Sequence, residues 1–65
     1  MTPTQPEVKL DGRYTITATC EHLGIHRHTL RKYTDNGEIR YRIRKNGKAK
    51  FYLGSEIIKF WRNNT

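Results

Sequence analysis

Leu23-Gly24-Ile25-His26-Arg27-His28-Thr29-Leu30-Arg31-Lys32-Tyr33 compresses a tight interhelical corner and a basic helix face into one short stretch. Gly24 supplies the backbone freedom that ends a first helix in a left-handed residue, and Ile25 behind it is the apolar plug of the corner. A second helix starts at once. On it Leu30 and Tyr33 share a face with Ile25, whereas Arg27, His28, Arg31 and Lys32 fall on the other side. One face is built for a core, and the other is a cationic blade.

Upstream, Thr17 offers a side-chain oxygen to the free amides of a helix running through Ala18, Thr19, Cys20, Glu21, His22 and Leu23. That helix is short and rich in threonine, so packing must stabilise it more than propensity does. Downstream, the pair Asn36-Gly37 suits the left-handed close of the second helix. The pattern predicts a helix-turn-helix. Such a unit offers DNA the N-terminal residues of its second helix for base edges in the major groove, with flanking cations on phosphates. Residues 1–12 carry both prolines and only Val8 and Leu10 as aliphatics after Met1, which predicts a flexible N-terminal arm before an ordered domain over 13–63.

After Gly37 the period changes. Ile39, Tyr41 and Ile43 alternate with Arg40, Arg42 and Arg44, and Ala49, Phe51 and Leu53 alternate with Lys48, Lys50 and Tyr52, the two-residue period of paired strands. A two-residue Asn46-Gly47 turn would set Ile43 opposite Lys50 and Arg42 opposite Phe51, mixing apolar and charged groups. A three-residue loop, Lys45-Asn46-Gly47 with Gly47 left-handed, instead pairs Ile43 with Ala49, Tyr41 with Phe51 and Ile39 with Leu53. The second register is the expected one, because it puts Arg40, Arg42, Arg44, Lys48 and Lys50 together on the solvent face, with Tyr52 also outward. The chain then forms a last short helix with Ser55 as cap, Glu56 at its positive end and Arg62 at its negative end. Ile58 and Trp61 are expected to face the core, with Ile57 and Phe60 flanking them.

Length and charge bound the rest. At 65 residues there is room for one domain, and 13 Lys and Arg against 6 Asp and Glu give a net charge of +7. That excess favours a polyanionic partner through neutralised phosphates and released counterions. No segment is both long and amphipathic enough to favour a membrane surface, and no apolar run is long enough to span a bilayer. The single Cys20 has no internal disulfide partner, and Met1-Thr2-Pro3-Thr4-Gln5-Pro6-Glu7 lacks the pattern of a signal peptide, so a cytoplasmic, nucleoid-associated location is expected. Glu21, Asp35, Glu38 and Glu56 fall on separate elements, and no phosphate loop or activated nucleophile is present, which argues against an enzyme. Cys20, His22, His26 and His28 match no zinc spacing. Neither a metal, a cofactor nor a small-molecule ligand is expected.

Helix, turn, helix, hairpin, helix is the order of a compact α+β winged helix-turn-helix, with a two-stranded antiparallel wing and a C-terminal helix. From Tyr14 to Trp61 the chain resembles the small winged-helix domains of the excisionase and MerR-like group. Thr15-Ile16, Leu23-Gly24-Ile25, Arg27, Thr29-Leu30, Tyr33, Asn36-Gly37-Glu38-Ile39, the basic hairpin, and Ile58 with Trp61 carry the resemblance. His26 stands where that group has serine or threonine, which leaves the cap of the second helix open.

The resemblance implies a recognition helix in the major groove and a wing along the backbone or in the adjacent minor groove. Arg27, His28 and Arg31 would then read or approach bases, Thr17, Thr29 and Lys32 would lie on phosphate, and Arg40, Arg42, Arg44, Lys48 and Lys50 would make the wing contacts. It also implies sequence-specific binding of double-stranded DNA, as an excisionase-like accessory factor that helps an integrase or recombinase release a mobile element. Further copies on adjacent sites are possible partners under that reading, and a small transcriptional regulator is the alternative role. MerR-type sensors append a long coiled-coil helix, and its absence before Thr65 favours the excisionase-like expectation. A module of another class would bind RNA, which calls for exposed aromatics, or protein, which calls for an exposed apolar patch.

Overall fold

Thr15, not Thr17, opens the first helix: its hydroxyl accepts a 3.1 Å hydrogen bond from the Ala18 amide, and α1 runs Ile16–Leu23. The structure, a computed structural model, describes residues 2–44, 47 and 49–64. At the far end of α1 the Ile25 amide donates to the Cys20 carbonyl at 3.1 Å and the Gly24 amide to Glu21 at 3.3 Å, with Gly24 at φ 67°. This is the Schellman closure that the corner requires. The second helix, α2 (Arg27–Asp35), starts at His26 without a side-chain cap and closes in the same way. There the Glu38 amide reaches Tyr33 at 2.9 Å and the Gly37 amide reaches Thr34 at 3.1 Å.

The sheet contains the two-stranded antiparallel wing of the expected α+β winged helix-turn-helix and one strand more. It has three antiparallel strands, β1 (Arg13–Tyr14), β2 (Arg42–Ile43) and β3 (Lys50–Leu53), in the order β1-β3-β2. The register differs from the expected one. Arg42 lies opposite Phe51 and Ile43 opposite Lys50, and the Arg44 amide donates to the Ala49 carbonyl at 3.1 Å. The expected pairs of Ile43 with Ala49, Tyr41 with Phe51 and Ile39 with Leu53 therefore do not form. Gly47 is left-handed at φ 75° as expected, while Lys45, Asn46 and Lys48 lie outside the described residues.

The reason is that Phe51 and Tyr52 are both buried, at 7% and 3% exposure, although adjacent residues of a strand point to opposite faces. Tyr52 faces the helices, where its hydroxyl and that of Thr34 share a 2.7 Å hydrogen bond. The expected alternation, with Ala49, Phe51 and Leu53 inward and Tyr52 outward, is therefore inverted. Phe51 is on the other face, under the guanidinium of Arg13, whose Cζ lies 5.4 Å from the ring centroid. Tyr41 and Ile43 stay exposed at 39% and 53%, and Ile39 is buried without a strand partner.

The last helix, α3 (Gly54–Asn63), is capped by main chain rather than by Ser55. The Gly54 amide donates to the Gly12 carbonyl and the Ser55 amide to Leu10, both at 3.0 Å. Glu56 and Arg62 sit in the first and last turns as expected. The segment read as an arm makes further contacts. Its Thr2 amide donates to the Leu23 carbonyl, the Trp61 indole donates to the Thr2 carbonyl, and the Lys9 amide donates to the Tyr14 hydroxyl. Ile57 and Phe60 are the deepest side chains of α3, with Ile58 buried and Trp61 half-buried, the reverse of the expected emphasis. With Cys20, Leu23, Leu30, Ile39 and Tyr52 they form the core, and Tyr33 meets Phe60 edge-on at 4.8 Å.

Candidate nucleic-acid interface

The exposed side of α2 carries two rows one helical turn in length, Arg27 with Arg31 and His28 with Lys32. Thr29, between them, is half-buried. Arg27 is the best-positioned member, because its Nη2 donates to Thr17 Oγ1 at 2.8 Å. The Thr17 hydroxyl is thus a brace from α1 to the first turn of α2. Arg31 Nε lies 4.0 Å from Asp35 Oδ2, but both side chains are largely exposed, so water and phosphate compete easily with that pair.

Arg27 and Arg31 line a groove of about 630 Å³ between α2 and the hairpin, with Tyr41, Lys50 and Tyr52 on the opposite wall. The Lys50 ammonium sits 4.9 Å from the Tyr41 ring centroid, which keeps it on this wall. His28, Thr29 and Lys32 border a shallower cleft on the other flank of α2, beside Tyr33 and Glu38. The exposed face of α2 therefore has cations along both flanks, and those on the wing side converge with a hairpin lysine.

The hairpin cations do not share one face. Lys50 lies on the groove face opposite Ile43, whereas Arg42 lies opposite Phe51 on the outer face, and strand alternation takes Arg44 there too. Arg40 is exposed but borders a depression with Glu38, Glu56 and Lys59 beside α3. Lys48 lies outside the described residues. The single-faced cationic wing is thus replaced by a two-faced one, for the same reason that the register changed. Sequence reading missed Arg13 and Tyr41 as parts of this surface. Arg13 reaches it through β1, whose partner β3 is remote in sequence, so no local pattern marks it.

Two buried groups near the groove are shifted. Burial pushes the Cys20 thiol up, partly offset by the Arg27 charge. Burial likewise raises the Tyr52 phenol, partly offset by its hydrogen bond to Thr34. Among the described residues no group of His, Cys, Asp and Glu could hold a metal, and no helix is long and apolar enough to cross a membrane.

A family model described as a helix-turn-helix domain matches residues 13–65, spanning the corner, the braced second helix and the hairpin. The chain belongs to the helix-turn-helix domain family. No curated protein and no solved structure matches it. As a helix-turn-helix domain it binds DNA sequence-specifically, and the family is one of DNA binders rather than enzymes. In this helix-turn-helix domain α1 and α2 are the two helices of the motif, and the Gly24 corner is its turn.

Proposed function

We propose that this helix-turn-helix domain acts as an excisionase-like accessory factor of a mobile element, binding a defined duplex site and assisting a recombinase. The observation that carries the DNA-facing part is the groove that sets Arg27 and Arg31 of α2 against Lys50 of the hairpin. A major groove admits a helix of this kind, and a phosphate backbone alongside it fits between α2 and the wing. Arg27, His28 and Arg31 read or approach base edges, where each bidentate arginine–guanine pair discriminates by about 1–3 kcal/mol. Thr17, Thr29 and Lys32 serve the flanking phosphates, and Arg40, Arg42, Arg44, Lys48 and Lys50 serve the backbone beyond. The accessory role rests on the resemblance of Tyr14 to Trp61 to the excisionase group, with further copies occupying adjacent sites.

Selection from a random duplex pool yields the preferred site, and gel mobility with that site moved along a fragment then measures bending. An accessory factor of recombination bends its site. A site that is bound but stays straight removes the accessory role and leaves a transcriptional regulator with the same DNA-binding mode. Failure to select any duplex overturns the whole reading.

A further inference from the structure

Arg13 and Arg42 sit on the two strands that flank β3, and both lie on the outer face of the sheet. Arg13 is opposite Leu53 and Arg42 opposite Phe51, residues that share one face of β3. The Arg13 guanidinium lies over the Phe51 ring at 5.4 Å, and a shallow depression joins it to Arg42 with no carboxylate in its lining. Among the described residues the one ion pair is Arg31 with Asp35, so neither Arg13 nor Arg42 is paired with an acid. We infer that this outer sheet face is a second phosphate-binding surface, and that the wing grips the two DNA strands bordering one minor groove, one strand on each face.

This inference rests on the docking of α2 and the hairpin on duplex DNA and extends it to a surface turned away from the groove. A guanidinium held near an aromatic ring by cation–π attraction still has N–H groups to offer, and its fork geometry suits bidentate capture of a phosphate. The attraction of the Phe51 ring favours Arg13 conformers that stay over this face before binding, which lessens the side-chain entropy lost on contact. On the opposite face Lys50 points to the α2 groove. A duplex strand on that side alone would leave Arg13 and Arg42 unneutralised. The minor groove is about 6 Å wide, narrower than a sheet with its side chains, so the hairpin rides over it and long side chains reach the strand on either side.

The test is the salt dependence of duplex binding, combined with phosphate-ethylation interference on the selected site. Each phosphate contact adds about 0.9 to the slope of log affinity against log salt. Arg13→Ala and Arg42→Ala are expected to lower that slope by about this amount on selected and random duplexes alike. Arg13→Lys, which keeps the charge, is expected to keep the slope. In the interference map Arg13→Ala removes sensitive phosphates on one strand, and Lys50→Ala removes those on the other. Thermal melts followed by circular dichroism confirm folding; if Arg13→Ala does not fold, Arg13→Gln, which keeps an aliphatic stem over Phe51, takes its place. An unchanged slope and map for the folded Arg13 variant overturn the inference, as does loss of the same phosphates in the Arg13 and Lys50 variants. A flat salt dependence of the unsubstituted protein instead overturns the docking reading itself.

Discussion

Thr19 is wholly buried, and its hydroxyl has no hydrogen-bond partner in the structure. An unpaired buried hydroxyl costs about 1–3 kcal/mol, whereas valine keeps nearly the same shape without it. Thr19→Val is therefore expected to stabilise the domain by about 1 kcal/mol, read as a higher Tm; a lower Tm means that the hydroxyl is satisfied. Cys20 and Tyr52 make a prediction about pH. Burial holds both in their neutral forms above the ordinary values of 9.0 and 10.0. A raised folded value contributes stability that is fully present below the unfolded value and lost as pH rises through the folded one. The urea midpoint should thus begin to fall above about pH 9, and Cys20→Ala should flatten the earlier part of that fall. The proposed base readout is tested at Arg27. Arg27→Ala is expected to lower the ratio of selected-site to random-site affinity, while Arg42→Ala lowers both equally. An unchanged ratio for Arg27→Ala removes it from base readout.

At the scale of elements, α3 is stabilised in a way that no residue within it announces. Its first amides bond to the carbonyls of Gly12 and Leu10, and a Cβ built on Gly54 would collide with the Lys9 carbonyl. In an ordinary helix position Gly→Ala stabilises by about 1 kcal/mol. Gly54→Ala is expected to do the opposite, lowering Tm and shifting the fluorescence of Trp61, whose indole is tied to Thr2. A higher Tm would show that the N-terminal segment does not dock there. The helices and their corner were legible because their signals are local: Gly24, Asn36-Gly37 and the spacing of Leu30 and Tyr33. The hairpin register was not, because it turned on the side taken by one residue. Tyr52 is amphipathic, and whether its hydroxyl meets water or Thr34 is decided by the packing of β3 on α2.

For the whole molecule, the net charge of +7 and the groove between α2 and the wing predict duplex binding that weakens steeply with salt. The cations of this surface were visible in the sequence, but their division between two faces was not, since it follows from the register. Arg13 was hidden for a different reason: β1 acquires its place by pairing across most of the chain. The same long-range closure brings head and tail together. Thr2 donates to Leu23 and accepts from Trp61, so the path of the backbone nearly returns to its origin. A short peptide bridging Asn64 to Thr2 would turn the fold into a ring without bending any element. Such a ring would restrict chiefly the denatured chain, and the circular protein would melt at a higher temperature than the linear one.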